Sequence, residues 1–293
     1  MINEFLQYLQ YEKNYSSHTV LSYHNDLLQF CDFVQQDPCH FRIGAVESTH
    51  VQQWVLFLMS GGLKPSSVSR KISTLKSFWR FLLRNGFATS NPVSGVLLPK
   101  SSKPLPSFFK DNEMLQALDE TFLAGDFVSV RNHLIVFMLY ATGMRRAELL
   151  LLTDDDFDLQ AGTVKVTGKR NKQRIIPVGA ELSDKIKHYI DIRNKEVGSV
   201  PGHFFVRSNA KMLYPEMVYK IVQQFMLPFG SLPKKSPHVL RHTFATGILN
   251  QGADIDAVKE LLGHSSLAAT QVYTHSTFDE LYNIYKQAHP RAK

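Results

Sequence analysis

A proline- and serine-rich segment divides this chain into two parts and sets the first limit on its fold. Residues 98–107 read LPKSSKPLPS, with three prolines and three serines in ten positions. Proline fixes φ and lacks a backbone donor, so such a segment is extended and semi-rigid. We therefore predict a first domain at residues 1–97, a linker at 98–110 and a second domain at 111–293. A chain of 293 residues is long enough to give both domains a hydrophobic core.

The first domain has the sequence pattern of a helical domain. Apolar residues recur at three- and four-residue spacing in four segments, of which the last covers about residues 66–84. One side of this fourth predicted helix carries the apolar residues Val68, Ile72, Leu75, Trp79, Leu82 and Leu83. The opposite side carries the basic residues Arg70, Lys76, Arg80 and Arg84. The pattern predicts one face in the core and one basic face in solvent.

The charge around that helix has one sign. No aspartate or glutamate occurs from Ser48 through Lys110, a span that contains nine lysines and arginines, and the whole chain has a formal net charge of +7. A basic face on a core helix can be simply solvated. A long stretch without acidic residues instead favours contact with a phosphate backbone. We therefore predict that the four basic residues of the fourth helix bind DNA.

The second domain begins with helical periodicity and then changes period. Two short β-branched runs, at residues 163–166 and 174–178, are joined by the basic segment GKRNKQ and predict a β-hairpin with a basic tip. Helical spacing returns from about residue 182. The fold class predicted for the chain is mainly α with a small antiparallel sheet (α+β).

Four clusters in the second domain carry residues suited to phosphate chemistry. They are Arg145 in TGMRRAEL, Lys169 in VTGKRNKQR, His238 and Arg241 in SPHVLRHTFAT, and His264 with Tyr273 in LGHSSLAATQVYTH. Glu148 follows Arg145 by three residues, a spacing that allows the carboxylate to orient the guanidinium. Ser236 and Pro237 predict a helix start beside His238, and a helix N-terminus attracts anions. Each cluster alone would more often be an ordinary surface feature.

The same clusters argue against a metal or a nucleotide as cofactor. His238 and His242 have the spacing of a helical zinc site, but Arg241 stands where that motif needs a carboxylate. The glycines before Lys169 resemble a phosphate-binding loop, but they have the wrong spacing and Arg170 replaces the Ser or Thr that would hold magnesium. No cofactor is predicted.

Taken in order, the four clusters resemble the tyrosine recombinase (integrase) family, and specifically its Xer branch, which includes XerC and XerD. The resemblance covers nearly the whole chain, including NP at residues 91–92 after the basic helix. It implies a helical core-binding domain and a mixed catalytic domain that form a C-shaped clamp on DNA. The catalytic set it implies is Arg145, Lys169, His238, Arg241, His264 and Tyr273, with Glu148 in support.

The resemblance also implies a mechanism. Tyr273 would attack the scissile phosphate, form a 3′-phosphotyrosine and release a 5′-hydroxyl. Lys169 would protonate the leaving oxygen, and His238 would accept the tyrosine proton. The two arginines and His264 would stabilise the charge on phosphorus. Because the phosphotyrosine conserves the energy of the phosphodiester, neither ATP nor a metal would be needed.

Several functions remain open at this stage. Resolution of chromosome or plasmid dimers is favoured, because the chain opens directly on the core-binding helices, whereas many phage integrases carry an extra arm-binding domain. A mobile-element integrase or a DNA invertase of the same family is the alternative. A DNA-binding protein without catalysis and a phosphatase or nuclease are further possibilities, which the full set of catalytic residue types disfavours.

The resemblance implies partners as well. It implies a tetramer on two DNA duplexes, made of this chain alone or with a second Xer-type recombinase and linked by the tail after Tyr273. Control by a septal DNA translocase is a further implication. No signal peptide or membrane span is predicted, because the N-terminus is amphipathic and the longest apolar run, around residues 134–141, is short. We therefore expect a cytoplasmic protein.

Overall fold

The computed structural model describes residues 1–99, 107–120, 125–168, 171–198, 200–229 and 232–263. The chain forms two compact units, residues 1–104 and 105–293. Helices predominate in both, and the second also contains a small antiparallel sheet. The predicted α+β class is therefore confirmed.

Within its described residues, the first unit contains helices and no strand. Its helices are α1 (Ile2–Gln7), which continues as a π-helical turn (Tyr8–Glu12), α2 (Ser17–Phe33), α3 (Ser48–Ser60) and α4 (Pro65–Arg84). The starts of these helices follow local rules: Ser16 Oγ accepts from the backbone N of Thr19 before α2, and Pro65 occupies the first position of α4. Trp54, Trp79 and Phe30 lie at the centre of the core with their rings edge to face.

Helix α4 follows its predicted amphipathic pattern with one exception. Val68, Ile72, Leu75, Trp79 and Leu82 are buried, as predicted. The prediction was wrong for Leu83, which is 37% exposed. Its neighbour Leu82 is fully buried, so the buried face of α4 is narrower near the end of the helix than predicted.

A buried carboxylate joins α2 to α4. Asp26 is 1% exposed and accepts hydrogen bonds from Arg70 (2.5 and 2.9 Å), Lys71 Nζ (2.9 Å) and Thr74 Oγ1 (2.9 Å). A buried carboxylate is tolerated only when it is paired and hydrogen-bonded. The basic face of α4 is thus neutralised in part by an acid from another helix, which the stretch without acidic residues did not reveal.

The second unit is built around one buried helix. The helices are α5 (Asp111–Glu120), α6 (Phe127–Thr142), α7 (Arg146–Leu151), α8 (Ala180–Glu196), α9 (Pro215–Phe225), α10 (Pro237–Asn250) and α11 (Ile255–Leu262). Helix α6 is buried along most of its length, and α8, α9 and α10 pack against it. It begins at the N-cap Asp126 and ends at Gly143, which has a left-handed conformation (φ 60°). The chain therefore turns sharply just before Arg145.

The predicted hairpin is present and has one more strand beside it. Strands β1 (Phe157–Asp158), β2 (Thr163–Thr167) and β3 (Gln173–Pro177) form an antiparallel sheet in that order, with Val164 opposite Ile176. Gly168 N donates to Lys172 O (2.7 Å) where the hairpin closes. Lys169 and Arg170, at the predicted tip, lie outside the described residues.

Most of the predicted linker also lies outside the described residues, which stop at residue 99 and resume at residue 107. Its last residues belong to the second unit. Phe109 is 1% exposed in that unit's core, and its backbone N donates to Thr243 Oγ1 (3.0 Å). The packed chain of the second unit thus includes a residue that we had placed in the linker. The predicted C-shaped arrangement of the two domains stays a prediction.

Candidate active site

The structure places four of the predicted site residues around the start of α7, the start of α10 and the end of α11. Arg145 is the N-cap residue of α7 rather than part of its first turn, and Glu148 lies in that turn. His238 and Arg241 lie in the first turns of α10. Lys169, His264 and Tyr273 lie outside the described residues, and no geometry is assigned to them.

Glu148 is the buried centre of this site. Its carboxylate is 2% exposed and accepts from Arg145 twice, from Nη1 (2.8 Å) and from the backbone N (2.7 Å). The same carboxylate forms a bidentate pair with Arg174, with both N–O distances at 2.9 Å. The predicted contact between Arg145 and Glu148 is therefore present, but Arg174 is the more buried of the two partners, with 6% of its surface exposed.

Sequence reasoning missed Arg174, although the hairpin contains a signal that points to it. Residues alternate between exposed and buried along β3, and Arg174 and Ile176 are buried on the same side. An arginine that the alternation of a strand turns inward needs a buried anionic partner. The sequence QRII, which places an arginine at an inward position of the strand, therefore predicts a buried acidic partner.

Three arginines donate to three successive carbonyls at the C-terminus of α11. Arg174 Nε donates to Leu261 O (2.9 Å), Arg241 Nη2 to Leu262 O (2.6 Å) and Arg145 Nη2 to Gly263 O (3.2 Å). The last carbonyls of a helix have no partners inside the helix and carry partial negative charge. Guanidinium groups from three separate elements therefore satisfy the end of α11, directly before His264. We call Arg145, Arg174 and Arg241 the arginine cluster.

The cluster is strongly coupled electrostatically. Burial alone would oppose ionisation of Glu148, but the hydrogen bonds and charge of Arg174, with further hydrogen bonds from Arg145, lower its pKa to about 2. Burial, followed by the positive charge of Arg145, lowers the pKa of Arg241 to about 10. Arg241 is 8% exposed and stays protonated at neutral pH. The site thus gathers three positive charges around one negative charge.

His238 lies at the N-terminus of α10 with an exposed side chain. Partial desolvation, followed by the charge of Arg146 and then His242, lowers the pKa of His238 below its ordinary value. Its imidazole is therefore mostly neutral at neutral pH and free to accept a proton. Ser236 is the N-cap residue of α10, and its buried Oγ has no hydrogen-bond partner among the described residues.

Gly143 fixes the geometry between α6 and the arginine cluster. Its carbonyl accepts from Arg241 Nη1 (2.6 Å), and a Cβ at this position would lie 2.3 Å from the ring of Phe244. The residue also has a positive φ of 60°, which favours glycine. Both the backbone conformation and the close approach of Phe244 therefore require glycine here.

We expect Gly143→Ala to lower the free energy of unfolding by about 2–4 kcal/mol, from the cost of the left-handed backbone plus overpacking against Phe244. Gly252→Ala is the matched control, because Gly252 has φ 88° and nothing within 4 Å of a Cβ. It should lose only about 1–2 kcal/mol. Urea unfolding followed by circular dichroism measures both. Equal losses in the two variants would contradict a steric role for Phe244.

The four residues predicted to bind DNA lie on α4 in the first unit. Arg80 and Arg84 are exposed, Arg84 Nη1 lies 3.5 Å from Tyr8 Oη, and Lys76 is half-buried. Arg70 is half exposed, but its guanidinium is held by Asp26 and Ser22. A role in DNA binding stays a prediction for all four, and Arg70 has the fewest donors left for it.

Neither a metal cluster nor a membrane span emerges from the described part of the chain. No group of three or more His, Cys, Asp or Glu side chains there comes together as metal ligands would. Among the described helices, none has the length and hydrophobicity that a bilayer crossing requires.

Comparison with known proteins decides the family. Residues 108–280 match the phage integrase family, and residues 2–86 match the phage integrase N-terminal SAM-like domain. The chain belongs to the phage integrase family. Among curated relatives, the tyrosine recombinase XerC of Halalkalibacterium halodurans is 40% identical over 99% of this chain and 97% of its own length. XerC of Chlorobaculum tepidum is 35% identical over 99% of this chain and 94% of its own length.

Solved structures support the same fold. XerH bound to palindromic difH substrate in a post-cleavage complex gives a TM-score of 0.72 with 21% identity, over 98% of this chain and 84% of that one. The Tn1549 transposon integrase with transposon right end DNA gives 0.68 with 20% identity, over 96% and 98%. The family resemblance inferred from the four clusters is confirmed. This member of the family is a tyrosine recombinase, an enzyme that cuts and rejoins DNA at specific sites.

Proposed function

We propose that this recombinase exchanges strands between two duplex sites through a 3′-phosphotyrosine on Tyr273 and a Holliday junction. The phenol oxygen forms a bond to phosphorus as the bond from phosphorus to the 5′-oxygen breaks. The freed 5′-hydroxyl of the partner strand later attacks the phosphotyrosine and releases the enzyme. Each step exchanges one phosphate ester for another, so no energy source is needed.

The convergence of Arg145 and Arg241 is the observation that carries this proposal. The two residues come from different helices, yet they bind adjacent carbonyls, Gly263 O and Leu262 O. Each guanidinium keeps donors beyond the bonds described. Two fixed guanidinium groups at one place suit the non-bridging oxygens of a phosphate whose charge grows in the transition state.

Proton transfer is assigned to two further residues. The exposed His238, whose lowered pKa keeps it neutral, would take the proton of Tyr273. Lys169 on the hairpin would give a proton to the leaving 5′-oxygen. His264, which follows the carbonyls that the arginine cluster holds, would donate to the phosphate. These roles follow from the family resemblance together with the positions of Arg145, Arg241 and His238.

The biological role that we propose is the resolution of chromosome or plasmid dimers in the cytoplasm. It rests on the curated relatives named XerC, which match this chain over 99% of its length. Solved relatives are bound to duplex DNA, including XerH on difH and the Tn1549 integrase on transposon ends. We propose a tetramer on two duplexes, made of this chain alone or with a second Xer-type recombinase, and a septal translocase as its activator.

Covalent capture of DNA tests this function. A duplex site is selected by binding from a randomised pool and then nicked near the cleavage position, so that the freed strand end diffuses away. We expect a covalent adduct at the 3′ phosphate that forms equally in excess EDTA and without ATP. An adduct that requires Mg²⁺, or a free 3′-hydroxyl in place of an adduct, would contradict the mechanism. Addition of a Xer-type partner from the same cell shows whether the enzyme acts alone.

A further inference from the structure

Arg174 lies on the hairpin and contacts two further elements, α7 and α11, which carry or immediately precede proposed catalytic residues. Its bidentate partner Glu148 holds Arg145, and its Nε holds Leu261 O near the end of α11. Arg174 itself lies on β3 of the hairpin whose tip includes Lys169. One side chain thus links the hairpin, the start of α7 and the end of α11.

Two glycines, each of which directly precedes a proposed catalytic residue in the sequence, lie against this same ion pair. A Cβ on Gly168, just before Lys169, would be 3.0 Å from Glu148 Oε1 and 3.9 Å from Arg174 Nη1. A Cβ on Gly263, just before His264, would be 3.1 Å from Arg174 Nη1 and 3.2 Å from its Cδ. The backbone thus passes over the pair at both places where it enters a catalytic position.

We infer that Arg174 is a positioning residue for strand cleavage, which sets the places of Arg145, of the hairpin that carries Lys169 and of the segment that begins at His264. It touches no reacting atom in this scheme. The inference rests on the proposed roles of those residues. Its physical basis is that a misplacement of about 1 Å in a catalytic group can reduce a rate by roughly 100-fold.

Arg174→Lys is the test variant, because lysine keeps the charge but lacks the planar fork that binds Glu148 and Leu261 O together. We expect single-turnover formation of the covalent adduct, at saturating nicked DNA, to fall by roughly 100-fold. The dissociation constant for DNA should change by less than about threefold, since an internal contact is altered rather than a DNA contact. A loss confined to the cleavage rate is what positioning predicts.

Arg193→Lys is the matched control. Arg193 is 0% exposed, forms a bidentate pair with Asp154 (2.7 Å for both bonds) and donates to Phe204 O. Among the proposed catalytic residues that the structure describes, it contacts none. The same substitution therefore removes the same kind of buried fork in the same unit. Its cleavage rate, measured at a temperature where circular dichroism shows both variants folded, should stay within about threefold of wild type.

A DNA substrate with sulfur in place of the leaving 5′-oxygen distinguishes misplacement of Lys169 from a general loss of activity. With a 5′-bridging phosphorothiolate the leaving group is a thiolate, which departs without receiving a proton. For Arg174→Lys and Lys169→Ala, we expect the defect in cleavage rate relative to wild type to be smaller on this substrate than on ordinary DNA by roughly tenfold or more. It should not do so in Arg241→Lys, whose defect lies in charge stabilisation. No gain for Arg174→Lys, with a gain for Lys169→Ala, would overturn the part of the inference that concerns the hairpin.

Gly168→Ala keeps the inference testable if Arg174→Lys does not fold. The added methyl group presses on Glu148 Oε1 at the base of the hairpin and leaves both charges in place. It should slow cleavage of ordinary DNA by roughly tenfold, with recovery on the sulfur substrate. Cleavage by Arg174→Lys within threefold of wild type, or an equal loss in Arg193→Lys, would overturn the inference. Absence of an adduct with wild-type protein would instead contradict the proposed function.

Discussion

Tyr273→Phe is expected to abolish covalent attachment to DNA while leaving DNA binding intact. Phenylalanine keeps the ring but lacks the oxygen that would bond to phosphorus, so no phosphotyrosine can form. Loss of a nucleophile reduces a rate by roughly 10⁴- to 10⁶-fold, which is below detection on a nicked substrate. The measurement is adduct formation in a denaturing gel, with binding of the same duplex measured by fluorescence anisotropy.

Tyr282→Phe is the control for this experiment, because Tyr282 is the next tyrosine along the chain. It should form the adduct at a rate within about threefold of wild type. Protease digestion of the wild-type adduct, followed by mass spectrometry of the DNA-linked peptide, identifies the attached residue directly. An adduct that persists in Tyr273→Phe and disappears in Tyr282→Phe would show that Tyr282, and not Tyr273, is the nucleophile.

The helices and the hairpin were predictable because their signals are local. Periodic apolar residues, Pro237 at a helix start and β-branched runs around a basic turn each depend on neighbours within a few positions. The contact between Arg145 and Glu148 belongs to the same class, since the two residues are three positions apart. Spacing in the sequence was enough for each of these.

The contacts that complete the site were not predictable in the same way. Arg174 lies 26 residues from Glu148, and Arg145 lies 118 residues from Gly263. Likewise, the basic pattern of α4 predicts that Arg70 binds DNA, whereas in the fold Asp26, 44 residues away, holds its guanidinium. A charge pattern along one helix shows which side chains are basic. Only the packed fold shows which of them are already paired.

The three positive charges of the arginine cluster explain why the carboxylate of Glu148 matters for stability. Three guanidinium groups lie around Glu148, and two of them, Arg174 and Arg241, are nearly fully buried. The partial charge at the end of α11 compensates this excess only in part, because a helix terminus carries about half an elementary charge. An excess of buried positive charge costs stability in the free protein. In our proposal the scissile phosphate supplies the missing negative charge.

Glu148→Gln should therefore lower the free energy of unfolding of the second unit by about 3–5 kcal/mol, because it leaves buried arginines without their counter-charge. Urea unfolding should be followed by circular dichroism rather than tryptophan fluorescence, since the chain's two tryptophans, Trp54 and Trp79, both lie in the first unit. Glu260→Gln makes the same chemical change at an exposed position of α11 and should stay within about 0.5 kcal/mol of wild type.

The pKa of Glu148 predicts how the stability lost in Glu148→Gln depends on pH. The pKa of Glu148 is about 2 in the folded protein, below its ordinary value of 4.5. A lowered carboxyl pKa stabilises the folded state fully above the ordinary value, and that contribution is lost as pH falls through 4.5 toward 2. The gap in stability between wild type and Glu148→Gln should therefore be widest near pH 6 and narrow as the pH drops below about 4.5. A gap that stays constant down to pH 3 would show that lost packing, rather than lost charge, destabilises the variant.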